Sequence, residues 1–338
     1  MVKHFIYFSQ MKITQKDIAK KVGSSTSLVS RVLSGQAHKI GVNPKKVEEI
    51  FRVAKELNYV PSPAALVLKG KKTRTIGLVV YDFYDPYFAM LIGEIQELAH
   101  IHNYSTLLVG FLNRKPKDSD LMPLYKHSVD GIIILGTGGD LTWTDSFKDI
   151  PITRIGHGEH PNLTFSASID ENDAMRKIFS HLKNDLKLSN IAYAARSMAA
   201  HEMRQNAVEV AAKICTCNVE FLSPSEKDSD FNAGMEIAGK LLERGKDKLP
   251  QACVCATDTI AMGIIKRFYE ASVRVPEDIV IVGFDDIPTA ANYIPSITTF
   301  RQPIGKFSAA CFNAIIEKPE TRSTTIEGEL IVRKSTMR

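Results

Sequence analysis

The segment from Thr14 to Gly35 reads TQKDIAKKVGSSTSLVSRVLSG, and its spacing predicts two short helices joined by a tight turn. Thr14 is a good N-cap, and apolar residues follow at helical spacing until Gly23, where glycine adopts a positive φ at little cost. Ser24 or Ser25 caps the second helix, whose apolar stripe is buried and whose polar stripe faces outward. This pattern is typical of a helix-turn-helix, in which the outward residues enter the major groove of DNA. An ordinary αα-hairpin is the alternative.

Charge favours the DNA-binding interpretation of this helix pair. Residues 11–71 contain twelve Lys and Arg against four Asp and Glu, which gives a net charge of +8, and Lys3 adds one more. Because the whole chain carries +5, residues 72–338 carry −4. Positive charge that is confined to one segment suits attraction to phosphates, whereas the mildly acidic remainder does not hold nucleic acid. The alternative is a solvated basic face on a small helical domain.

A third helix and an apolar segment follow the pair. Asn43 caps this helix, Pro44 takes its first position, and apolar residues recur along one face as far as Leu57, so that three helices can enclose a small core. Residues 61–73 read PSPAALVLKGKKT and are too short to form a helix alone. Such a segment can order on a duplex, with Leu68 as an apolar wedge in the minor groove. An apolar linker is the alternative.

The remaining chain alternates short apolar runs with helical stretches. Runs that are apolar on both sides suit strands covered by helices on both faces, which predicts parallel, doubly wound sheets. The predicted strands are 75–80, 105–110, 131–136, 190–195, 251–256 and 278–284, and the predicted helices include 87–102, 174–182, 232–244 and 261–271.

The ends of these strands predict a ligand site. In open parallel sheets, ligands bind outside the carboxyl ends of the strands, where the chain directions diverge. Aromatic rings, carboxylates and a few cationic donors at these ends suit a polyhydroxylated or heterocyclic small molecule. The candidate residues are Tyr81, Asp82, Phe83, Tyr87, Phe88, His157, Thr257 and Asp285. Each candidate has an alternative role. The aspartates can cap helices, the aromatic rings can pack in the core, and the histidine can be an exposed loop residue.

The amino-terminal pattern resembles the headpiece and hinge of the lactose-repressor/galactose-repressor (LacI/GalR) family of bacterial transcription regulators. The family's Asp-Ile-Ala and Val-Ser-Arg-Val pattern appears at 17–19 and 29–32, and its Glu-Leu-x-Tyr-x-Pro and Ala-x-x-Leu pattern at 56–61 and 65–68. The resemblance implies that the second helix reads bases and phosphates and that a hinge leucine intercalates. The implied DNA contacts are Thr14, Ser25, Thr26, Ser27, Ser30, Arg31, Ser34, Ala65 and Leu68. Leu66 stands where the family often has Arg or Gln.

The body, from Thr75 to about Gly328, resembles the family's periplasmic-binding-protein-like effector domain. The resemblance rests on three short motifs, which are Asp-Pro-Tyr-Phe at 85–88, Val-Asp-Gly-Ile-Ile at 129–133 and Val-Gly-Phe-Asp-Asp at 282–286. It implies that Arg204 and Asp285 bind ligand. Two departures lie at the inferred site, because Thr257 replaces an Asn and Gly156-His157 replaces Asp-Arg.

These patterns predict an N-terminal all-α helix-turn-helix domain followed by an α/β periplasmic-binding-protein-like core of two doubly wound parallel-sheet lobes. We expect an extension at 1–10, a headpiece at 11–60 and a hinge with a short helix at 61–73. The first lobe is expected to comprise 74–167 and 302–325, and the second 168–301 and 326–338.

Several classes of protein are disfavoured by absent motifs. We find no nucleophile elbow, phosphate loop, dinucleotide fingerprint or zinc-protease motif, so we expect neither an enzyme nor a cofactor or metal. The five cysteines are odd in number and lack Cys-x-x-Cys spacing, which is typical of reduced residues in a cytosolic protein. The apolar residues 5–8 are too short for a signal peptide, and no run reaches membrane-spanning length.

Together, the patterns predict a cytoplasmic, ligand-controlled transcription regulator. We expect a repressor that binds a pseudo-palindromic operator as a homodimer, with a sugar or sugar derivative as effector, whose binding changes the cost of ordering the hinge on DNA. Residues 329–338 show no heptad pattern, which disfavours a coiled-coil tetramer. The alternatives are a small-molecule-binding protein without DNA function and a regulator with a protein co-effector.

Overall fold

The computed structural model describes residues 13–60, 70–111, 116–225 and 229–337, and the chain divides into two units between Lys71 and Lys72. The first unit contains α1 (Gln15–Lys21), α2 (Thr26–Leu33) and α3 (Pro44–Glu56), with a 3-10 turn at Ala37–Ile40. Apolar residues at helical spacing meet in one core. Its buried members are Ile18, Ala19, Val22, Val29, Val32, Ala37, Ile50, Val53 and Ala54.

Local capping sets the ends of these three helices. The Asp17 carboxylate accepts hydrogen bonds from the backbone N–H and the hydroxyl of Thr14, at 2.8 and 2.7 Å. Gly23 adopts a φ of +60° just after α1, and the Ser25 Oγ accepts from the Leu28 N–H at 3.2 Å. Ser25, rather than Ser24, is therefore the cap of α2, and the predicted helix-turn-helix is confirmed.

The second unit contains two six-stranded sheets. The strands are β1 (Thr75–Val80), β2 (Ser105–Gly110), β3 (Gly131–Leu135), β4 (Ile152–Ile155), β5 (Phe165–Ile169), β6 (Asn190–Ala194), β7 (Asn218–Leu222), β8 (Ala252–Cys255), β9 (Val280–Asp285), β10 (Thr298–Arg301), β11 (Ser323–Ile326) and β12 (Glu329–Ile331). The helices are α4 (Pro86–Ile101), α5 (Asp118–His127), α6 (Glu171–Ser180), α7 (Ala199–Cys215), α8 (Asp230–Glu243), α9 (Asp258–Glu270), α10 (Pro288–Asn292) and α11 (Ile304–Ile316). No helix within the described ranges is long and apolar enough to cross a bilayer.

The two sheets share one strand order. The first sheet runs β2-β1-β3-β4-β5-β11 with parallel pairs throughout, and the second runs β7-β6-β8-β9-β10-β12 with only the last pair antiparallel. The predicted doubly wound lobes are confirmed. In both sheets the order reverses beside the strand that comes first in the chain, between β1 and β3 and between β6 and β8, which is where such sheets bind ligands.

The chain passes between the sheets three times. The crossovers follow β5, β10 and β11. The first sheet continues to Ile169 and to Ile326, so the lobe boundaries predicted at residues 167 and 325 fall inside strands. The prediction stopped too early because these strands are short and carry Ser and Thr instead of a continuous apolar run.

Helices α8 and α9 pack closely against each other, and this contact sets the positions of their amino-terminal ends. A Cβ on Gly234 would lie 2.2 Å from the Ile260 carbonyl oxygen, and one on Gly263 would lie 2.1 Å from that of Phe231. The two glycines therefore let the helix backbones touch. Asp230 and Thr257, at the starts of these helices, can then meet through a 2.7 Å hydrogen bond.

We expect Gly234→Ala to lower the free energy of unfolding by about 1–3 kcal/mol, because the new methyl group must push the two backbones apart. Gly239→Ala on the same helix is the matched control, since nothing lies within 4 Å of its Cβ position. The control should be neutral or up to about 1 kcal/mol more stable. Urea unfolding followed by circular dichroism measures both, and equal stability of the two variants would contradict the proposed close contact.

Candidate DNA-binding surface and ligand cavity

Helix α2 presents a polar face at its amino-terminal end. Val29 and Val32 are buried, whereas Thr26, Ser27 and Arg31 are exposed. Of the other residues predicted to contact DNA, Thr14 and Ser25 are exposed, and Ser30 and Ser34 are half-buried. The structure thus places seven of the predicted contacts on or beside α2 and α1. Ala65 and Leu68 lie outside the described residues.

Two of these polar residues also stabilise the helices themselves. The hydroxyl of Thr14 donates to Asp17 and holds the pKa of that carboxyl below its ordinary value. The Ser34 Oγ donates to the Arg31 carbonyl oxygen at 3.0 Å. A hydroxyl group has one hydrogen, so a phosphate can accept from Thr14 or Ser34 only if the hydroxyl leaves this intramolecular bond.

The cationic character of α2 is not offset by nearby acids. Glu56 pairs with Lys21 at 3.1 Å and with Arg52 at 2.7 Å, and Glu49 pairs with Lys46 at 2.8 Å. Among the described residues, Arg31 forms no ion pair. Its guanidinium group is therefore available for guanine or phosphate, which it can contact through two parallel hydrogen bonds.

The second unit contains a cavity of about 170 Å³ where the two sheets meet at their carboxyl ends. Its walls include Asp82 after β1, Thr137 after β3, Arg196 after β6 and Thr257 after β8. The strand order of the first sheet reverses between β1 and β3, and that of the second sheet reverses between β6 and β8. The topology thus brings polar residues from distant parts of the sequence to one place, as the sequence predicts.

Seven of the nine predicted ligand residues line this cavity. They are Asp82, Tyr87, Phe88, His157, Arg204, Thr257 and Asp285. Tyr81 and Phe83 are not part of its wall. The ring of Tyr81 packs edge-to-face on Phe111 at 6.4 Å, and that of Phe83 packs against Gly110. The chain bends directly after β1, where the Asp82 Oδ1 accepts from the Tyr84 N–H at 2.8 Å, and of these three residues only Asp82 lines the cavity.

A buried ion pair forms the centre of the cavity wall. Arg204 is 5% exposed and binds Glu171 through two hydrogen bonds, Nε to Oε2 at 2.9 Å and Nη2 to Oε1 at 3.0 Å. Its guanidinium carbon also lies 3.5 Å from the centroid of the Phe284 ring. Burial disfavours the charge on Arg204, but Glu171 offsets this effect and the pKa of Arg204 stays above its ordinary value.

A second ion pair lies on the same side. Arg196 Nη1 and Asp230 Oδ1 are 2.7 Å apart, and the Thr257 hydroxyl donates to the other oxygen of Asp230. Thr257 also caps α9 by accepting from the Ile260 N–H at 3.2 Å. Thr257 therefore joins the start of α9 to the ion pair.

Asp285 is held in an unusual backbone conformation at the end of β9. Its φ is +108°, a region that costs a residue other than glycine roughly 1–3 kcal/mol and that is common at ligand sites. Asp285 Oδ1 accepts from Gln302 Nε2 at 2.7 Å, and the Gln302 Oε1 accepts from the Tyr87 hydroxyl at 3.3 Å. Burial raises the pKa of Asp285.

The two histidines of the cavity are neutral near pH 7. Burial lowers the pKa of His157 and lowers that of His201 to about 4. The His157 Nε2 lies 3.8 Å from Glu171 Oε1 and has no hydrogen-bond partner among the described residues. It is thus placed to bond a ligand. In the described part of the chain, no group of His, Cys, Asp and Glu is arranged to hold a metal ion.

Several wall residues are not among the nine predicted ligand residues. They are Asp85, Glu171, Arg196, His201, Asp230 and Gln302. Asp85 and Arg196 follow predicted strands, so their positions offered a signal. Gln302 and Glu171 lie on crossovers between the sheets, whose course depends on strands that the apolar pattern does not reveal.

Comparison with protein families and known proteins agrees with this architecture. Residues 14–62 match the model of bacterial regulatory proteins of the lacI family, and residues 180–336 match that of the periplasmic binding protein-like domain. The chain is 30% identical over 341 residues to the HTH-type transcriptional repressor PurR of Pasteurella multocida (strain Pm70), covering 95% of this chain and 98% of that protein. It is 29% identical over 334 residues to PurR of Histophilus somni (strain 2336), with the same coverage.

Solved structures show the same fold. The lac repressor dimer bound to operator and the anti-inducer ONPF superposes with a TM-score of 0.81 at 23% identity, over 96% of this chain and 99% of that one. The complex of the transcriptional regulator CelR with cellobiose gives a TM-score of 0.66 at 23% identity, with the same coverage. The headpiece, the paired sheets and the near full-length similarity together establish that this chain belongs to the lacI family of bacterial regulatory proteins.

Proposed function

We propose that this chain is a cytoplasmic transcriptional repressor that binds a pseudo-palindromic operator as a homodimer and responds to a sugar or sugar derivative in the cavity. One observation carries the proposal, namely that a basic three-helix unit with an exposed polar recognition face shares a chain with a polar cavity at two strand-order reversals. The relatives are named as repressors. We infer that this chain is likewise not an enzyme and needs no cofactor.

The recognition face supports the DNA-binding half of the proposal. The exposed residues Thr26, Ser27 and Arg31 lie in the first two turns of α2, and the amino-terminal part of a recognition helix is the part that reaches base edges. One such helix reads only a few base pairs. A two-fold symmetric pair of helices reads two half-sites, which is why we propose a homodimer and a pseudo-palindrome.

The cavity supports the ligand half of the proposal. It offers buried carboxylates and a guanidinium group for hydrogen bonds, and the rings of Phe88 and Phe307 for apolar contact. This combination suits a compound with many hydroxyl groups and one apolar face. Because both sheets and two crossovers contribute wall residues, a ligand binds more tightly to one lobe arrangement than to another. It can therefore shift the equilibrium between them.

Arg31→Ala should weaken binding to the operator by about 1–3 kcal/mol and relax the preference at one base pair, because one base-reading contact is lost. Arg52→Ala is the matched control, since Arg52 lies on α3 and pairs with Glu56. Fluorescence anisotropy with a selected operator and with random duplex measures both variants. Equal losses on the two duplexes would identify Arg31 as a phosphate contact instead.

Asp285→Ala should abolish the rise in melting temperature that the effector produces, while DNA binding by the ligand-free protein persists. Asp285→Asn keeps the volume of the side chain and tests the charge separately, and the exposed Asp247→Ala is the control. Differential scanning fluorimetry against a panel of mono- and disaccharides provides the measurement. An effector response that survives in both Asp285 variants would remove Asp285 from the binding site.

A further inference from the structure

We propose that Arg154 is a positioning residue for effector binding, because its buried guanidinium group holds two glycine-rich loops that form the first-lobe wall of the cavity. The proposal rests on the ligand half of the proposed function. The loops are 136–139, directly after β3, and 156–158, directly after β4. Four of their residues line the cavity, namely Gly136, Thr137, Gly156 and His157. The course of the two loops therefore sets the shape of this wall.

The two loops contain few side chains that could hold their conformation. Five of their seven residues are glycines, and all five have a positive φ. Glycine loses more backbone freedom on ordering than any other residue, and it offers no side chain for packing. Loops of this composition need contacts from neighbouring elements if they are to keep one shape.

Close backbone contacts make the two loops interlock. A Cβ on Gly156 would lie 2.8 Å from the Gly136 carbonyl oxygen. The Thr137 Oγ1 accepts from the His157 N–H at 3.0 Å, and the His157 carbonyl oxygen accepts from the Gly138 N–H at 3.5 Å. A shift of one loop therefore moves the other, and it moves the His157 ring as well.

Arg154, on β4, contacts both loops through one guanidinium group. Its Nε donates to the Gly136 carbonyl oxygen at 2.9 Å, and its Nη2 donates to that of Gly138. A Cβ on Gly158 would lie 2.7 Å from its Nη1. The Tyr81 hydroxyl adds a longer bond to the same Gly138 oxygen, at 3.4 Å. Because the donors of a guanidinium group point in fixed directions, one arginine can hold two carbonyl oxygens at once.

The burial of Arg154 is not explained by an ion pair. The residue is 2% exposed, and it pairs with no carboxylate among the described residues. A buried charge without an opposite charge is costly, whereas an apolar side chain at this strand position would carry no such cost. The loop carbonyl oxygens are the groups that offset the burial of this cation. Its contacts thus point to the order of the loops and not to core packing.

Loop 136–139 also touches the second lobe. A Cβ on Gly138 would lie 2.7 Å from the Cβ of Ala199, the first residue of α7. Arg154 bonds the carbonyl oxygen of this same glycine. A loop that is released from Arg154 therefore changes both the first-lobe wall and a contact between the lobes.

Hydrogen exchange of the ligand-free full chain tests the inference without an effector. In Arg154→Met, amides of 136–139 and 156–158 should exchange at least about tenfold faster, because the loops lose charge-assisted hydrogen bonds. Arg322→Met is the matched control, since the Arg322 Nη2 also donates to two carbonyl oxygens, those of Pro161 and Leu163, which do not line the cavity. The control should leave exchange in both loops unchanged. Mass spectrometry of peptic peptides provides the measurement.

Saccharide binding separates positioning of the wall from a general effect on stability. The probe is the mono- or disaccharide that raises the melting temperature of the unaltered protein most. Arg154→Met should raise its Kd at least about tenfold, while Arg322→Met should leave the Kd unchanged. Isothermal titration calorimetry at a temperature where both variants are folded measures this. Arg154→Lys serves if Arg154→Met does not fold, because lysine keeps the charge but lacks the planar fork.

Three results would overturn the inference. The first is unchanged exchange of both loops in a folded Arg154 variant. The second is an unchanged saccharide Kd in a variant whose loops exchange faster, because the loops would then not position the wall. The third is an equal effect of Arg322→Met, which would indicate a general loosening of the lobe. If no saccharide stabilises the unaltered protein, the ligand half of the proposed function fails, and the exchange of the two loops alone decides whether Arg154 holds the wall.

Discussion

The cavity depends on the reversal of strand order that the two sheets share. In each sheet the second strand of the chain, β2 or β7, lies at one edge, and the later strands lie on the other side of the first strand. The connections on the two sides then cover opposite faces, so the loops after β1 and β3, and after β6 and β8, diverge and leave a crevice. Polar residues can occupy this crevice without entering either core. Everything else about the site follows from which side chains the loops supply.

Within that crevice, the buried pair of Arg204 and Glu171 determines what the other residues can do. Removing one member of such a pair typically costs about 3–5 kcal/mol, because the other charge stays buried without a partner. The pair is joined by two hydrogen bonds and stacked on Phe284, so neither side chain is free to rearrange. A rigid, internally neutral pair can still present its edges to a ligand. In the proposed function, specificity then comes from the groups around it, including the strained Asp285 and the His157 Nε2, which has no hydrogen-bond partner within the described ranges.

The sequence predicts the parts of this molecule that follow local rules. The turn at Gly23, the cap at Asn43 and the apolar strands β1, β3 and β9 depend on nearby residues alone, and the structure contains them. Strands such as β5, with the sequence FSASI, lack a continuous apolar run and are visible only once their neighbours are in place. The orientation of single side chains was harder still to predict, because the bend after β1 places Asp82 in the cavity wall and Phe83 against Gly110.

The crossovers connect the cavity to the relative movement of the lobes. Glu171 follows the end of β5 by two residues, and Gln302 directly follows β10, so two of the three segments that must bend if the lobes move place a side chain in the wall. Gln302 bonds Asp285 in one sheet and Tyr87 above the other. A ligand that replaces or strengthens either hydrogen bond of Gln302 changes the free energy of bending the crossover after β10. In the proposed function, coupling of this kind needs no chain of contacts through the cores, because the proposed binding residues lie on the segments that connect the lobes.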